Sequence, residues 1–597
     1  HWLGEKTEEI LEVVEKTCDL LPDDLQAKWT LLTSSVAQKM SYSLSLQYPS
    51  DMLEAARKID DILWSMMERA TGLHIPREEE GRGVECVLDV PVRGLQGKSF
   101  QHHLARLPVR ERGMGVRSMV DTIPTAFIGS VEMSLPFFCG EGGLCDQLLP
   151  VVGDVRTEEE GVRWRTLLAS NCRTAVEFTD CWEHLQGEAR EMAAYLGEEL
   201  EEHLSVPLEG VGEGRLDGTT RHLVTVQREG MRARVLKKAL ILHPDQTARP
   251  VWVFPQFDKM SCAWLMATPS PETYIPTILF REAMAAHLCL PAPCCQSHLG
   301  KPTGYNDRQG NPTVVDVFGD TVMSATLCHD TWRTRHSDVI RPIIARAREA
   351  RLEVEPEVFG LFRDIIPAEA MGEGGELETV RGRSGCVPDL RLGFAVPLAP
   401  RPADYQPRRG RPPAAAAPPA PPPHAPAPRT GIVTRYIAEL KCMGAGPTNY
   451  PRGTARGRDK AADRRARGLP ALYRGKLAAI DRQYYGTVEG EVGPCQERLE
   501  SLGDLLQMVV GYWGETSTDL DRMIRAIAES RVLYLSRETG RPITDNWVGQ
   551  VLGQHRRSLS AAFVRAQAAC LTSRMGHLGV GAREAAARRT VAMAQEV

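Results

Sequence analysis

Hydrophobic and polar positions alternate in one short segment late in the chain. In RYIAELKCM, Ile437, Glu439 and Lys441 fall on one side of a strand and the residues between them on the other, because successive strand side chains point in opposite directions. The pattern predicts a strand with one packed face and one charged face. It fits an edge strand with a solvated ion pair, or a strand that holds an acid and a lysine for chemistry.

Other segments show the spacing of amphipathic helices. Helices are predicted at residues 5–70, 158–203, 277–290, 517–535 and from 555 onward. Two runs rich in β-branched and aromatic residues, HLVTVQREG (222–230) and ARPVWVFPQF (248–257), predict strands.

Residues 335–362 read as a helix followed by a strand, and two more strand-like pieces follow at 386–394 and 431–443. A proline-rich insert at 396–430, densest from Arg401 to Thr430, separates these two pieces and is predicted to be disordered or semi-rigid. The predicted order is helix, strand, strand, strand.

The length of 597 residues exceeds what one hydrophobic core supports. We expect a multidomain α+β chain, with a helical N-terminal region, an α/β core of αβββαβ-like order and a helical C-terminal tail. The predicted segments are residues 1–150 (helical), 151–285 (mixed helical and strand connector), 286–340 (Cys and His segment), 335–515 (α/β core) and 516–597 (helical).

Composition adds little about partners, since 42% hydrophobic and 25% charged residues with a net charge of -5 are ordinary globular values. Fifteen cysteines without dense, even spacing indicate a reducing compartment. No secretory signal or membrane-length apolar run is evident, so we expect an intracellular protein of the nucleus or cytoplasm. The chain begins with His1, and its helical pattern is under way by Glu8, so we also expect missing upstream sequence.

The candidate catalytic residues lie on the strand-like pieces. Pro388-Asp389 followed by Glu439-x-Lys441 resembles the signature of PD-(D/E)XK, or restriction-endonuclease-like, nucleases. In that family the Asp and Glu bind one or two Mg²⁺ ions, with Mn²⁺ as a substitute, and the Lys orients or activates the attacking water. The resemblance also implies a further metal contact from Glu357, or alternatively from Glu355. Hard oxygen ligands and a compact ammonium suit phosphodiester hydrolysis.

A second resemblance covers most of the chain. ARLPVRERGMGVRSMVDTIPTAFIGS, DVFGDTVMSATLCHDTWRTRHSDVI and ELKCMGAGPTNYPRG occur in the order seen in retroelement (non-LTR-type) reverse-transcriptase polyproteins. This resemblance implies a thumb-like region at 1–150 and an endonuclease that nicks target DNA to prime reverse transcription. Expected partners are DNA, element RNA and an upstream polymerase portion, with no membrane. Nothing here resembles the Tyr-x-Asp-Asp strand of a polymerase.

A Cys and His segment offers candidate Zn²⁺ ligands. Cys294, His298, Cys328 and His336 have the sulfur and imidazole donors of a tetrahedral site. Thr321 stands where such retroelements commonly have histidine, which weakens the pattern. Buried free cysteines with a surface histidine are the alternative.

A basic segment follows the Glu-x-Lys strand and is the candidate nucleic-acid contact. Tyr473, Tyr484 and Tyr485 accompany it, aspartates interrupt it, and an ordinary solvated helix is the alternative. The candidate contacts are Arg452, Arg456, Arg458, Lys460, Arg464, Arg465, Arg467, Arg474 and Lys476.

Two functions fit these features. The first is a metal-dependent endonuclease, and the second is a catalytically inactive nucleic-acid-binding remnant of a retroelement protein, which the long insert between Asp389 and Glu439 favours. A purely structural helical protein would leave the motif order unexplained.

Overall fold

A computed structural model describes residues 24–36, 47–77, 86–139, 173–198, 219–306, 311–324, 331–358, 389–394, 398–399, 434–446, 449–451, 460–501 and 505–578, with some single positions between them. Of the predicted insert it covers Leu398 and Ala399, so the proline-rich stretch lies outside the described residues. Residues 158–172 of the predicted acidic helix also lie outside them.

The helices are α1 Leu25–Leu31, α2 Pro49–Thr71, α3 Phe100–Arg106, α4 Met119–Cys139, α5 Arg173–Leu196, α6 Thr219–Leu242, α7 Arg249–Val253, α8 Lys259–Ala263, α9 Thr277–His287, α10 Asp320–Ser324, α11 Thr331–Glu349, α12 Ala461–Tyr485, α13 Pro494–Ser501, α14 Thr518–Thr539 and α15 Asp545–Gly576. The strands are β1 Pro302–Asn306, β2 Pro312–Val314, β3 Glu353–Pro356, β4 Leu390–Phe394, β5 Thr434–Cys442 and β6 Leu506–Val510. The chain is therefore of the α+β class, as expected. None of the described helices is both long and apolar enough to span a bilayer.

The chain divides into two compact units. The helical unit is His1–Pro255 with Tyr274–Pro293, and the sheet unit is Gln256–Thr273 with Cys294–Val597. The five segments predicted from the sequence stay predictions. The predicted C-terminal region, however, shares its core with the predicted α/β region, since Leu520 and Ile524 of α14 and Phe563 of α15 pack with strand residues.

In the helical unit, α2 and α4 pack against each other through a stripe that includes Met52, Ile59 and Ile123. The helix predicted over 277–290 is confirmed as α9. The strands predicted at 222–230 and 248–257 are wrong: the first lies inside α6, and the second contains α7 and a 3₁₀ turn. Pro250 in the first turn of α7 is a helix-start signal that the β-branched and aromatic composition obscured.

In the sheet unit, the described strands pair in the order β3-β4-β5-β6. The pairs β3-β4 and β4-β5 are antiparallel, whereas β5 and β6 are parallel. Along the chain, the elements that build this sheet and its neighbours follow in the order α11, β3, β4, β5, α12, α13, β6.

Helices cover both faces of β5, which is a central strand and not the solvated edge strand considered above. Ala438 and Leu440 lie in a core with α11, α14 and α15. On the other face, Ile437 packs with Tyr473 and Leu477 of α12. The predicted alternation is therefore correct, but the charged face is largely enclosed.

Candidate nuclease site

A row of polar side chains crosses the sheet at one level. The last paired row is Pro356, Leu390, Ala438 and Leu506. One position further, Glu357 follows β3, Asp389 precedes β4, and Glu439 pairs with Gln507 in the parallel ladder. Directly opposed residues in antiparallel strands have Cβ atoms about 4.5–5.5 Å apart, so this register brings Asp389 and Glu439 together.

Asp389 extends the β4-β5 ladder through its side chain. Its Oδ2 accepts a hydrogen bond from the Leu440 backbone N–H at 2.6 Å, and Oδ1 lies 3.2 Å from His336 Nε2. His336 lies on α11 beside Arg335, whose guanidinium donates to the carbonyls of Cys442 and Met443 at the end of β5. The helix is thereby anchored where it can present the imidazole to Asp389.

Glu439 is 4% exposed and has a partner for each carboxylate oxygen. Lys441 forms an ion pair with Oε1, and the Tyr473 hydroxyl donates to Oε2. Lys441 itself is 44% exposed, so its ammonium combines contact with Glu439 and access to solvent. Gln507 lies beside Glu439 on β6, and its Oε1 has no hydrogen-bond partner among the described residues.

The electrostatics of Glu439 reflect this enclosure. Burial raises the pKa of its carboxyl, and the charge of Asp389 raises it further. The Lys441 ammonium and the Tyr473 hydroxyl act in the opposite direction. Two acids thus face each other on a covered sheet surface. A cation beside them stabilises their ionised forms, and removing that cation is unfavourable.

The third predicted acid, Glu357, lies at the end of β3. The Glu357 backbone N–H donates to the Asp389 carbonyl at 2.8 Å, and its φ of 48° ends β3, while its side chain is exposed. A non-glycine residue in this left-handed region is uncommon and costs conformational energy. The alternative acid, Glu355, forms a cross-strand ion pair with Arg391.

The donor set fits Mg²⁺ or Mn²⁺. Asp389 and Glu439 offer the hard carboxylate oxygens that Mg²⁺ prefers, and it commonly binds through only one or two carboxylates. Each carboxylate oxygen carries two lone pairs, so the protein contacts described above leave capacity for a cation. Lys441 also supplies positive charge at Glu439.

The proposed Zn²⁺ set does not assemble in the described part of the chain. His336 contacts Asp389, and no group of three or more His, Cys, Asp or Glu suited to a metal is found among the described residues. Cys294 lies 4.0 Å, sulfur to sulfur, from Cys295, and His298 Nδ1 lies 2.8 Å from the Ser297 hydroxyl. Cys328 lies outside the described residues, so Zn²⁺ binding stays a prediction.

The basic segment forms α12, on the same face of the sheet as Glu439. This helix carries six Arg or Lys residues and two Asp residues. Both acids turn toward the protein: Asp463 accepts the Thr518 backbone N–H at 2.7 Å, and Asp481 accepts the Cys495 backbone N–H at 2.9 Å. The aspartates therefore serve the following helices, and the outward surface is cationic.

The predicted nucleic-acid contacts differ in how exposed they are. Arg465 and Arg474 are exposed on α12, whereas Lys460 precedes the helix and forms an ion pair with Asp258 at 3.0 Å. Three further residues are partly buried, and three lie outside the described residues. The partly buried residues are Arg464, Arg467 and Lys476, and those outside are Arg452, Arg456 and Arg458.

Sequence reasoning did not assign three neighbours of the carboxylates to this site. From the sequence, Tyr473 accompanies the basic segment, His336 is a candidate Zn²⁺ ligand, and Gln507 has no predicted role. The stripe of Leu469, Tyr473 and Leu477 at helical spacing is a signal that places the tyrosine on the inner side of α12. The register of β6, which brings in Gln507, has no comparable local signal.

No family model matches this chain, and no curated protein matches its sequence.

Proposed function

We propose that the sheet unit is a metal-dependent DNA endonuclease of the PD-(D/E)XK type, in a chain that is the C-terminal part of a non-LTR-type retroelement polyprotein. The observation that supports this most is the convergence of Asp389, Glu439 and Lys441 at one level of the sheet. In the cell, it would nick target DNA in the nucleus or cytoplasm and so provide a primer for reverse transcription by the upstream polymerase portion.

Each residue of the proposed site would have a separate role. Asp389 and Glu439 would hold Mg²⁺ or Mn²⁺, which supplies positive charge to the phosphate and lowers the pKa of water. Lys441 is exposed enough to reach the scissile phosphate or the attacking water, and it adds compact charge without competing as a metal ligand. Tyr473 donates to Glu439 and favours its ionised form, which a metal requires.

The cationic face of α12 would hold the DNA backbone. Arg465 and Arg474 are exposed there, and each Arg that neutralises a phosphate releases counterions. Since α12 also supplies Tyr473, phosphate binding and the carboxylate site share one helix. Element RNA would be held by the same sequence-independent charge.

The decisive experiment is nicking of supercoiled plasmid with and without Mg²⁺ or Mn²⁺. The full chain is compared with Asp389→Asn, Lys441→Ala and the matched control Glu353→Gln, an exposed acid of the same sheet that pairs with Arg435. We expect metal-dependent nicking that falls by two orders of magnitude or more in the first two variants and persists in the control. Equal nicking by all four proteins would refute the site.

A catalytically inactive nucleic-acid-binding protein is the second candidate, because the inward aspartates leave α12 with a cationic outer face that serves binding alone. It predicts DNA binding without nicking in any metal. In a mobility-shift assay without metal, Arg465→Gln with Arg474→Gln should reduce the salt dependence of binding by about one to two phosphate equivalents. The control is Arg525→Gln, an exposed arginine of α14 that pairs with Glu529.

A further inference from the structure

The helical unit contains a cavity of about 500 Å³ that the endonuclease proposal does not use. Its walls come from α2, α3, α4 and α6 and from the turn around Leu95. Ligand pockets for small molecules commonly fall between about 300 and 1,000 Å³, so this cavity has room for a nucleotide-sized ligand.

The acids around this cavity are already paired. Asp60 accepts the Met119 backbone N–H at 2.7 Å and the Arg106 guanidinium at 3.1 Å. Arg232 donates to both carboxylate oxygens of Asp121, at 2.7 and 3.2 Å. Burial alone would raise the pKa of Asp121, but Arg232 and its neighbour Arg228 outweigh burial and lower it. Both carboxylates are thus compensated by arginine side chains.

Further ion pairs account for most of the other charges. Arg228 and Arg232 also share Glu188, with Nε–O distances of 2.7 and 2.8 Å. Arg77 pairs with Asp61 at 2.5 Å. Glu229 pairs with Arg110, so the remaining acid of the wall is neutralised as well.

The charge left over is positive. Arg57 on α2 and Arg117 before α4 both line the cavity with exposed side chains, and neither forms an ion pair with any residue that the structure describes. Lys98, which is half-buried, also lines the cavity. An anionic ligand would complete this arrangement, and guanidinium groups favour phosphate through paired N–H donors.

The rest of the wall combines leucine and valine side chains with neutral hydrogen-bonding groups. Burial lowers the pKa of His102 to about 3 and that of His103 to about 4, so both imidazoles are uncharged at neutral pH. The hydroxyls of Thr122 and Thr125 donate to helix carbonyls and keep lone pairs that accept hydrogen bonds from a ligand. A polar group attached to the anion could therefore form hydrogen bonds with these side chains.

We propose that this cavity binds a phosphate-bearing ligand of nucleotide size, with its phosphate held by Arg57 and Arg117. The phosphate can come from a free nucleoside triphosphate or from the 5′-phosphorylated end of a nucleic-acid strand. Both sources present the same group to the two guanidinium side chains. The proposal is independent of nuclease activity, since it involves none of the carboxylates on the sheet.

Calorimetric titration of the full chain tests this proposal. The probes are ATP, adenosine, and a hexadeoxynucleotide with either a 5′-phosphate or a 5′-hydroxyl, all without divalent metal. The proteins are wild type, Arg57→Gln with Arg117→Gln, and the control Lys58→Gln, an exposed cation of α2 that pairs with Glu54. Thermal unfolding checks that the variants fold, and Asp389→Asn should bind like wild type.

We expect ATP or the 5′-phosphorylated strand to bind, adenosine and the 5′-hydroxyl strand to bind far less, and the double variant to lose about tenfold in affinity per arginine. Binding of ATP would identify a free nucleotide as the source, and binding of the phosphorylated strand alone would identify a nucleic-acid end. Absence of binding by both phosphorylated probes, or equal binding by the folded double variant and wild type, would overturn the proposal.

Discussion

The hydroxyl of Tyr473 offers the sharpest test of the carboxylate site, because it touches Glu439 without being a candidate metal ligand or nucleophile. Tyr473 is 5% exposed and donates to Oε2 of a carboxyl whose pKa burial and Asp389 already raise. Tyr473→Phe removes the donor and keeps the ring that packs with Leu477. The substitution therefore changes the charge balance at Glu439 with little change in packing.

The size of the effect follows from the charge on the acceptor. A hydrogen bond to a charged group contributes about 1.5–3 kcal/mol, and one pKa unit corresponds to about 1.4 kcal/mol. The loss should raise the pKa of Glu439 beyond its already raised value. Because a metal needs the ionised carboxylate, the acid limb of nicking activity should move to higher pH, by about 1 to 2 pH units for a hydrogen bond of this strength.

The assay is the initial rate of plasmid nicking between pH 5.5 and 9 at fixed, subsaturating Mg²⁺. Tyr484→Phe is the matched control, since Tyr484 lies on the same helix and packs at the margin of the same cluster. We expect Tyr473→Phe to approach the wild-type rate at high pH and to lose activity earlier on acidification. A uniform drop in rate with an unchanged midpoint would show that Tyr473 acts only through packing, and would refute the argument.

Two further predictions concern other titratable groups of the sheet unit. Burial raises the pKa of the Glu515 carboxyl from its ordinary value of 4.5 to about 7, so this carboxyl favours folding when protonated. About 3 kcal/mol of stability should therefore be lost as pH rises from about 4.5 through 7. Glu515→Gln should flatten the dependence of Tm on pH over this window, and an unchanged slope would contradict the assignment. His336→Asn, which removes the imidazole 3.2 Å from Asp389, should raise the Mg²⁺ concentration for half-maximal nicking by about 10- to 100-fold. An unchanged Mg²⁺ titration would exclude a role for His336 in positioning Asp389.

The parts of the fold that local pattern controls could be predicted. The alternation around Glu439 separates Ala438 and Leu440, which enter one core, from Ile437, which enters the other. The apolar stripe over residues 517–535 predicted α14, which begins at Thr518. In both cases the period of the side chains is a property of a few neighbouring residues, so sequence alone carries the information.

The error in α6 has a tertiary cause. Val224 and its neighbours resemble a strand by composition, yet they belong to a helix in which Arg228 and Arg232, four residues apart, both meet Glu188 of α5. That contact depends on a helix packed alongside, and tertiary context commonly overrides the weak preference of β-branched residues. Composition could not reveal the partner.

The candidate site likewise contains some residues that a local pattern identifies and others that depend on tertiary contacts. Asp389 and Glu439 could be found from a short motif, because each lies on a strand that the pattern predicts. Tyr473 and Gln507 reach Glu439 only because α12 covers this face of the sheet and β6 joins β5 in parallel. Neither of these two contacts follows from a local periodic pattern in the sequence. The groups that shift the pKa of Glu439 could therefore be identified only from the fold.

The cost of this environment is itself an argument for function. A sheet face that needed only to pack against α12 would be more stable with an apolar residue at 439, because burial and the charge of Asp389 raise the pKa of Glu439 and this acid requires Lys441 and Tyr473 in compensation. The same acids become favourable once a divalent cation and a phosphate share the site. Strained and destabilising groups concentrate where activity needs them, and here the left-handed backbone of Glu357 adjoins the buried acids at the same level of the sheet.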